Sequence, residues 1–209
     1  MKVSIAIKSC HKHGARRTAV IETWLREVDW ADAFFLVGSP NVAVPRSLMC
    51  DVSDAFADIA PKIGCACTYA LQNDVDLLFV CDDDTYVRPD MLKRAADELI
   101  WGTSLDYVGF IRTGGLGYNN GIPYAQGSAY WLSARAMDFV VNSAAIRPGV
   151  IDDGAVGQAL IGKVPFTHDW RYKVGPKYDE AFAYRDWITT HKCLPDAMRR
   201  VHDLMKRKK

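Results

Sequence analysis

Short apolar runs alternate with longer amphipathic ones along this chain, and that alternation predicts its fold class. Residues 3–8, Val-Ser-Ile-Ala-Ile-Lys, read as a strand. Residues 16–28 read as a helix with Val20, Ile21, Trp24, Leu25 and Val28 as its apolar positions. A strand over 33–37 stops at Gly38-Ser39-Pro40. The next helix is expected from 54 to about 71, with Phe56, Ile59, Ile63, Cys67 and Ala70 on one face. Pro61 lies inside it and must either kink it or mark its first turn. Leu77-Leu78-Phe79-Val80-Cys81 reads as a buried strand, 89–100 as a helix and 107–111 as a strand. Between 113 and 127 stand Gly114, Gly115, Gly117, Gly121, Pro123 and Gly127, which predict a long functional loop. A strand over 129–132 follows, then a helix over 134–143 capped by Ser133. Asp152-Asp153 opens a helix to about 161, and Pro195 starts a last one over 195–205. Strands alternating with helices predict an α/β fold: one domain over 1–209, a mostly parallel sheet with helices on both faces.

Composition narrows the classes. A chain of 209 residues with 49% hydrophobic content can bury a full core and is not disordered. A net charge of +1 removes any global argument for a nucleic-acid or membrane partner. The exception is the end of the chain, where Lys206-Arg207-Lys208-Lys209 form a short basic tail. Such a tail is either solvated or in contact with phosphates. No run of 18 apolar residues is present, so no membrane-spanning helix is expected. Nor do residues 1–7 have the pattern of a signal peptide, and the expectation is a cytoplasmic monomer. No two of the six cysteines have C-x-x-C spacing, and Cys65 and Cys67 point to different sides of a helix. All six are expected as reduced thiols.

The chemistry concentrates in acids. Asp82-Asp83-Asp84 sits directly after the buried run 77–81. Three carboxylates at a strand exit repel each other unless a cation or donor groups offset them. The carboxyl ends of strands in open α/β sheets are also where ligands bind. A solvated acidic turn is the plainer alternative. Asp152-Asp153 is a good helix start and also a candidate general base. Among the histidines, His168 and His191 are ligand candidates, while His11 and His13 read as loop residues. The phosphate-loop, nucleophile-elbow and H-E-x-x-H motifs are absent.

Six segments, taken in order, resemble one family. Ala15-Arg16-Arg17-Thr18, continuing to Thr23-Trp24, is similar to the opening segment of the β-1,3-galactosyltransferases, β-1,3-N-acetylglucosaminyltransferases and Fringe proteins. Asp51-Val52-Ser53-Asp54, continuing to Lys62, resembles the family's Asp-rich segment that leads to a lysine. Asp82-Asp83-Asp84 resembles its DxD motif. Pro123-Tyr124-Ala125-Gln126-Gly127, continuing to Tyr130 and Ser133, resembles its Pro-x-Tyr-x-x-Gly-x-x-Tyr-x-x-Ser segment. Ile151-Asp152-Asp153-Gly154 resembles its acidic pair, with Gly154 where a valine is usual. His191-Lys192, Pro195 and Met198 resemble its C-terminal motif.

The resemblance implies a GT-A glycosyltransferase fold and a metal-dependent, inverting transfer from a UDP-sugar. It implies Mn²⁺ or Mg²⁺ held by Asp84 and His191, with His168 the runner-up. Asp82 and Asp83 would contact ribose and sugar hydroxyls. Lys8, Arg16, Asp51, Asp54, Lys62 and Gly127 would bind the rest of the donor. Asp153 would be the base, with Asp152 beside it. The acceptor is left open between a glycan and a hydroxymethylated base in DNA. Two rivals stay open as well: a metal-dependent nuclease or phosphotransferase, and a non-catalytic carbohydrate- or nucleotide-binding module.

Overall fold

β1 (Val3–Lys8) is buried at every position, including its terminal lysine. It leads into α1 (Gly14–Glu22), β2 (Asp32–Gly38) and β3 (Ser47–Cys50). α2 (Ile59–Gln72), β4 (Leu77–Asp82), β5 (Tyr86–Val87) and α3 (Pro89–Trp101) follow. Next come β6 (Tyr107–Thr113), β7 (Pro123–Ser133), α4 (Ala134–Val141) and α5 (Asp152–Leu160). β8 (Phe166–His168), β9 (Tyr172–Lys173), β10 (Thr189–Thr190) and α6 (Pro195–Lys206) complete the order. The computed structural model describes residues 2–39, 44–101, 105–113, 121–173, 182 and 185–207. Lys208 and Lys209 of the basic tail, and Gly114, Gly115 and Gly117 of the glycine-rich stretch, lie outside them.

Seven strands form the central sheet in the order β3-β2-β1-β4-β7-β6-β8. β3, β2, β1 and β4 are parallel, β7 is antiparallel to both neighbours, and β6 and β8 are parallel. Side-chain alternation divides the core between two faces. Ile5, Ile7, Phe79 and Cys81 pack on one side with Ala19, Val20, Leu92, Met198 and Val201 of α1, α3 and α6. Ala6, Leu78 and Val80 pack on the other with Ile63, Ala66 and Cys67 of α2, Met137 of α4 and Val156 of α5. Both faces are covered, as the alternating pattern predicts. Among the described residues no helix is long and apolar enough to cross a membrane.

The differences from expectation are local. The helix over 16–28 breaks at Thr23, whose hydroxyl takes the Ala19 carbonyl at 2.6 Å and whose ψ is −109°. Trp24 and Leu25, adjacent in sequence, are then both buried in a 3₁₀ turn. Pro61 marks the first turn, because α2 begins only at Ile59. The preceding residues form a separate 3₁₀ turn, Phe56–Asp58, and Phe56 is 74% exposed instead of facing the core. The loop expected over 113–127 ends early, since β7 already starts at Pro123. β3, β5, β8, β9 and β10 were too short for the pattern to betray. Ser133 does cap α4, accepting from the Ala136 amide at 3.1 Å. All six cysteines are free thiols.

Candidate active site

The chain runs outward from β1 through β2 to β3, then returns to the other side of β1 as β4. The carboxyl ends of β1 and β4 therefore bound the crevice where strand order reverses, the usual ligand position in open α/β sheets. Lys8 and Asp82 end these strands and are register partners.

The three acids after β4 have different partners. Asp83, 3% exposed, accepts from Ser9 Oγ at 2.7 Å and from Arg16 at 3.0 Å, and lies 2.7 Å from His13 Nδ1. Asp84 lies 3.3 Å from His191 Nδ1 and 3.4 Å from the Arg16 guanidinium. Asp82 Oδ2 is 3.8 Å from the same imidazole nitrogen. One ligand atom each from Asp82, Asp84 and His191 fall within 4.8 Å of one another. The short strands explain how His191 arrives there. β10 pairs antiparallel with β5, which leaves the acidic turn, and the Cys193 amide donates to the Asp84 carbonyl at 2.7 Å. His168 does not join this group. It lies on the far strand β8, paired with Gly109 of β6, its ring 4.8 Å from that of Phe110. Two carboxylate oxygens and one imidazole nitrogen are a donor set that fits Mn²⁺, and with less preference Mg²⁺.

Lys8 ties this group to the second acidic pair. Its ammonium donates to the Gly127 carbonyl at 2.7 Å and to Asp152 at 2.5 Å, and pairs with Asp82 at 2.9 Å. Burial opposes the charge, but Asp152 and Asp82 outweigh it and hold the lysine well above its ordinary range. Burial also pushes the Asp82 carboxyl up, against the pull of Lys8. Asp153 accepts from the Gly127 amide at 3.2 Å and from the Gly154 amide at 2.8 Å. Gly127 can face both because of a bulge. Two residues of advance along β6, from Gly109 to Ile111, answer to five along β7, from Tyr130 to Ala125. Residues 126–129 leave that ladder, and the backbone of Gly127 and Ser128 serves side chains instead. A Cβ on Gly127 would stand 3.2 Å from Lys8 Nζ and 3.3 Å from Asp152 Oδ2, so the residue is a close-approach glycine.

A third cluster surrounds Asp54. It accepts from the amide and ring of His11 at 2.7 and 2.8 Å, from the Gly38 amide at 2.5 Å, and from Lys62. Burial raises its pKa, but Lys62 and the backbone donors prevail and hold it well below the usual carboxylate range. Lys62, 2% exposed, also donates to the Ser9 carbonyl at 3.2 Å.

A cavity of about 400 Å³ runs over these groups. It is lined by Lys8, Ser9, Arg16, Asp54, Lys62 and the three acids with His191, and also by Cys10, His13, Phe56 and Ile59. Seven of the residues singled out from sequence are thus gathered there with His191: Lys8, Arg16, Asp54, Lys62, Asp82, Asp83 and Asp84. Asp51 is exposed and does not line it. Gly127, Asp152 and Asp153 stand behind Lys8 and do not line it either. Sequence reasoning missed Ser9, His13 and Phe56. Ser9 and His13 were legible only as polar residues after a strand, and Phe56 fitted the apolar face of a helix that starts later.

No family model matches the chain, and no curated protein does. Solved structures do. A glycosyltransferase involved in the glycosylation of the major capsid of PBCV-1 superposes with a TM-score of 0.59 at 12% identity, covering 96% of this chain and 99% of that one. The mannosyltransferase PcManGT from Pyrobaculum calidifontis, solved with GDP-Man and Mn²⁺, gives a TM-score of 0.51 at 9% identity, over 80% of this chain and 54% of that one. At such identity the likeness is one of architecture, and with the sheet order above it establishes that this chain has the GT-A glycosyltransferase fold.

Proposed function

We propose that this protein is a metal-dependent glycosyltransferase that takes a sugar from a nucleotide-diphosphate donor, with a UDP-sugar as the first choice, and inverts the anomeric centre. The observation that carries the reading is the Asp82–Asp84–His191 group at the β1–β4 crevice of a GT-A fold. Among these, Asp84 and His191 are proposed as the metal ligands, and the trio adds Asp82 to the set. A divalent cation bound there would neutralise the negative charge of the diphosphate leaving group.

The chain's own residues complete the proposal. Arg16, held by Asp83, faces the diphosphate with its guanidinium; burial opposes its charge, but Asp83 and Asp84 hold it cationic. Asp153 is the proposed base for the acceptor hydroxyl, as the resemblance of the acidic pair implies, and Asp152 beside it pairs with Lys8. The Gly127 and Gly154 amides fix the orientation of its carboxylate. Asp54 and Lys62 mainly hold each other and the β1 exit in place. The acceptor class stays between a glycan and a modified base in DNA.

The test is sugar-donor hydrolysis with Mn²⁺ across UDP-sugars and GDP-mannose, followed by an acceptor screen that includes hydroxymethylated DNA. Mn²⁺-dependent release of UDP, lost in Asp84→Ala, is expected. Phosphodiester cleavage without a sugar donor would replace this reading with the nuclease one. UDP binding without any turnover would replace it with the binding module.

A further inference from the structure

Phe56 has the largest exposure among the described large apolar side chains, at 74%, yet it lines the cavity. It is not on a loose segment. Its 3₁₀ turn is tied down by Ser53, whose hydroxyl donates to Asp58 and accepts from the Ala55 amide at 3.1 Å. The Gly149 amide also donates to the Ala57 carbonyl at 2.8 Å. A fixed, solvent-facing aromatic ring in a cavity wall has a large free π-face and no core to fill. Contacts give its place along the cavity. The Asp82–Asp84–His191 group touches Arg16; Arg16 shares Asp83 with Ser9; the Ser9 carbonyl takes Lys62; Lys62 holds Asp54, two residues before Phe56. The sequence from cation site through basic groups to an aromatic ring follows the order of a nucleoside diphosphate, with phosphates first and base last.

We propose that Phe56 is the platform on which the donor's nucleobase stacks, and that it separates nucleotide donors from ligands that offer only a diphosphate. This rests on the nucleotide-sugar reading above. Stacking uses the face that every base has, so Phe56 would strengthen uridine and guanosine donors alike and leave the choice between them to other contacts.

Calorimetric titration of wild type, Phe56→Ala and Phe56→Trp with UDP, GDP and inorganic pyrophosphate, each with Mn²⁺, tests it. The alanine variant should bind UDP and GDP roughly 5- to 150-fold more weakly, the range for one base on one ring. Pyrophosphate affinity should not change, and the tryptophan variant should restore nucleotide binding. The exposed side chain can be removed without opening a core cavity, so the fold survives in this variant. An alanine variant that binds UDP as tightly as wild type overturns the stacking role and leaves the donor reading intact. So does an equal loss for pyrophosphate, which would mean that the turn shapes the phosphate site. A wild type that binds none of the three overturns both.

Discussion

A lysine ammonium has three hydrogens, and Lys8 faces three acceptors: the Gly127 carbonyl, Asp152 and Asp82. In this arrangement all three hydrogens are engaged, and Lys8 acts as an internal strut. Removing its charge strands the buried Asp152 carboxylate. Lys8→Met should therefore destabilise the fold by on the order of 3–5 kcal/mol, the usual cost of breaking a buried pair by deleting one partner. Denaturant titration measures it, and a loss under about 1 kcal/mol would place the pair in the weak class of exposed ones. Asp153 is the complementary case. Asp153→Asn keeps the shape and loses the proton acceptor, so turnover should fall by roughly 10²–10⁴-fold while UDP affinity holds. Retained turnover would move the base elsewhere.

At the scale of elements, the site depends on how closely α5 lies against β7. A Cβ on Gly157 would meet Tyr124 Cβ at 2.9 Å and press still harder on the Pro123 carbonyl. Alanine in a helix interior gains up to about 1 kcal/mol over glycine. Overpacking costs about 1–3 kcal/mol, so the clash should win. Gly157→Ala is expected to lower stability and, because α5 carries Asp152 and Asp153 at its start, to lower turnover as well. Thermal unfolding with a donor-hydrolysis assay reads both, and a stabilised, fully active variant would show that α5 moves freely. The cap on α4 should behave conventionally: Ser133→Ala should cost about 1 kcal/mol in the same unfolding assay. This cap was legible because a serine before an apolar helix acts locally. The bulge in β7 was not, because it exists only between two paired strands.

For the whole molecule, charge pairing sets the response to pH. The Asp54 carboxyl is held far below the ordinary aspartate value of about 3.9. A depressed pKa stabilises the fold at pH above the unfolded value, and that stabilisation is lost as pH falls through the folded one. Denaturation midpoints should therefore decline below about pH 4, and Asp54→Asn should be less stable at neutral pH with a flatter acid limb. An unchanged acid limb in the variant would assign acid sensitivity to other carboxylates. Near-neutral net charge argues the same way about acceptors. If binding of modified DNA shows no dependence on salt, the basic end of the chain contributes nothing to it.

What the sequence determined by itself is what depends on neighbours in the chain. Apolar runs and their periods predicted the strands and helices of both faces, and with them the α/β class. A buried run ending in three acids pointed to a site at a strand exit, and the ordered segments from Arg16 to Met198 pointed to sugar transfer. Only the tertiary structure decided which carboxylates meet which cations. Asp83 is committed to Ser9, His13 and Arg16, Asp54 to His11 and Lys62, and Asp152 to Lys8. It likewise drew His191, and not His168, to Asp82 and Asp84, and turned Phe56 from core to cavity. Most of these contacts join residues from 43 to 144 positions apart, across strands whose pairing is set by the burial of two whole faces. Local pattern carries no information on such pairs, because their partners become neighbours only when the sheet has formed.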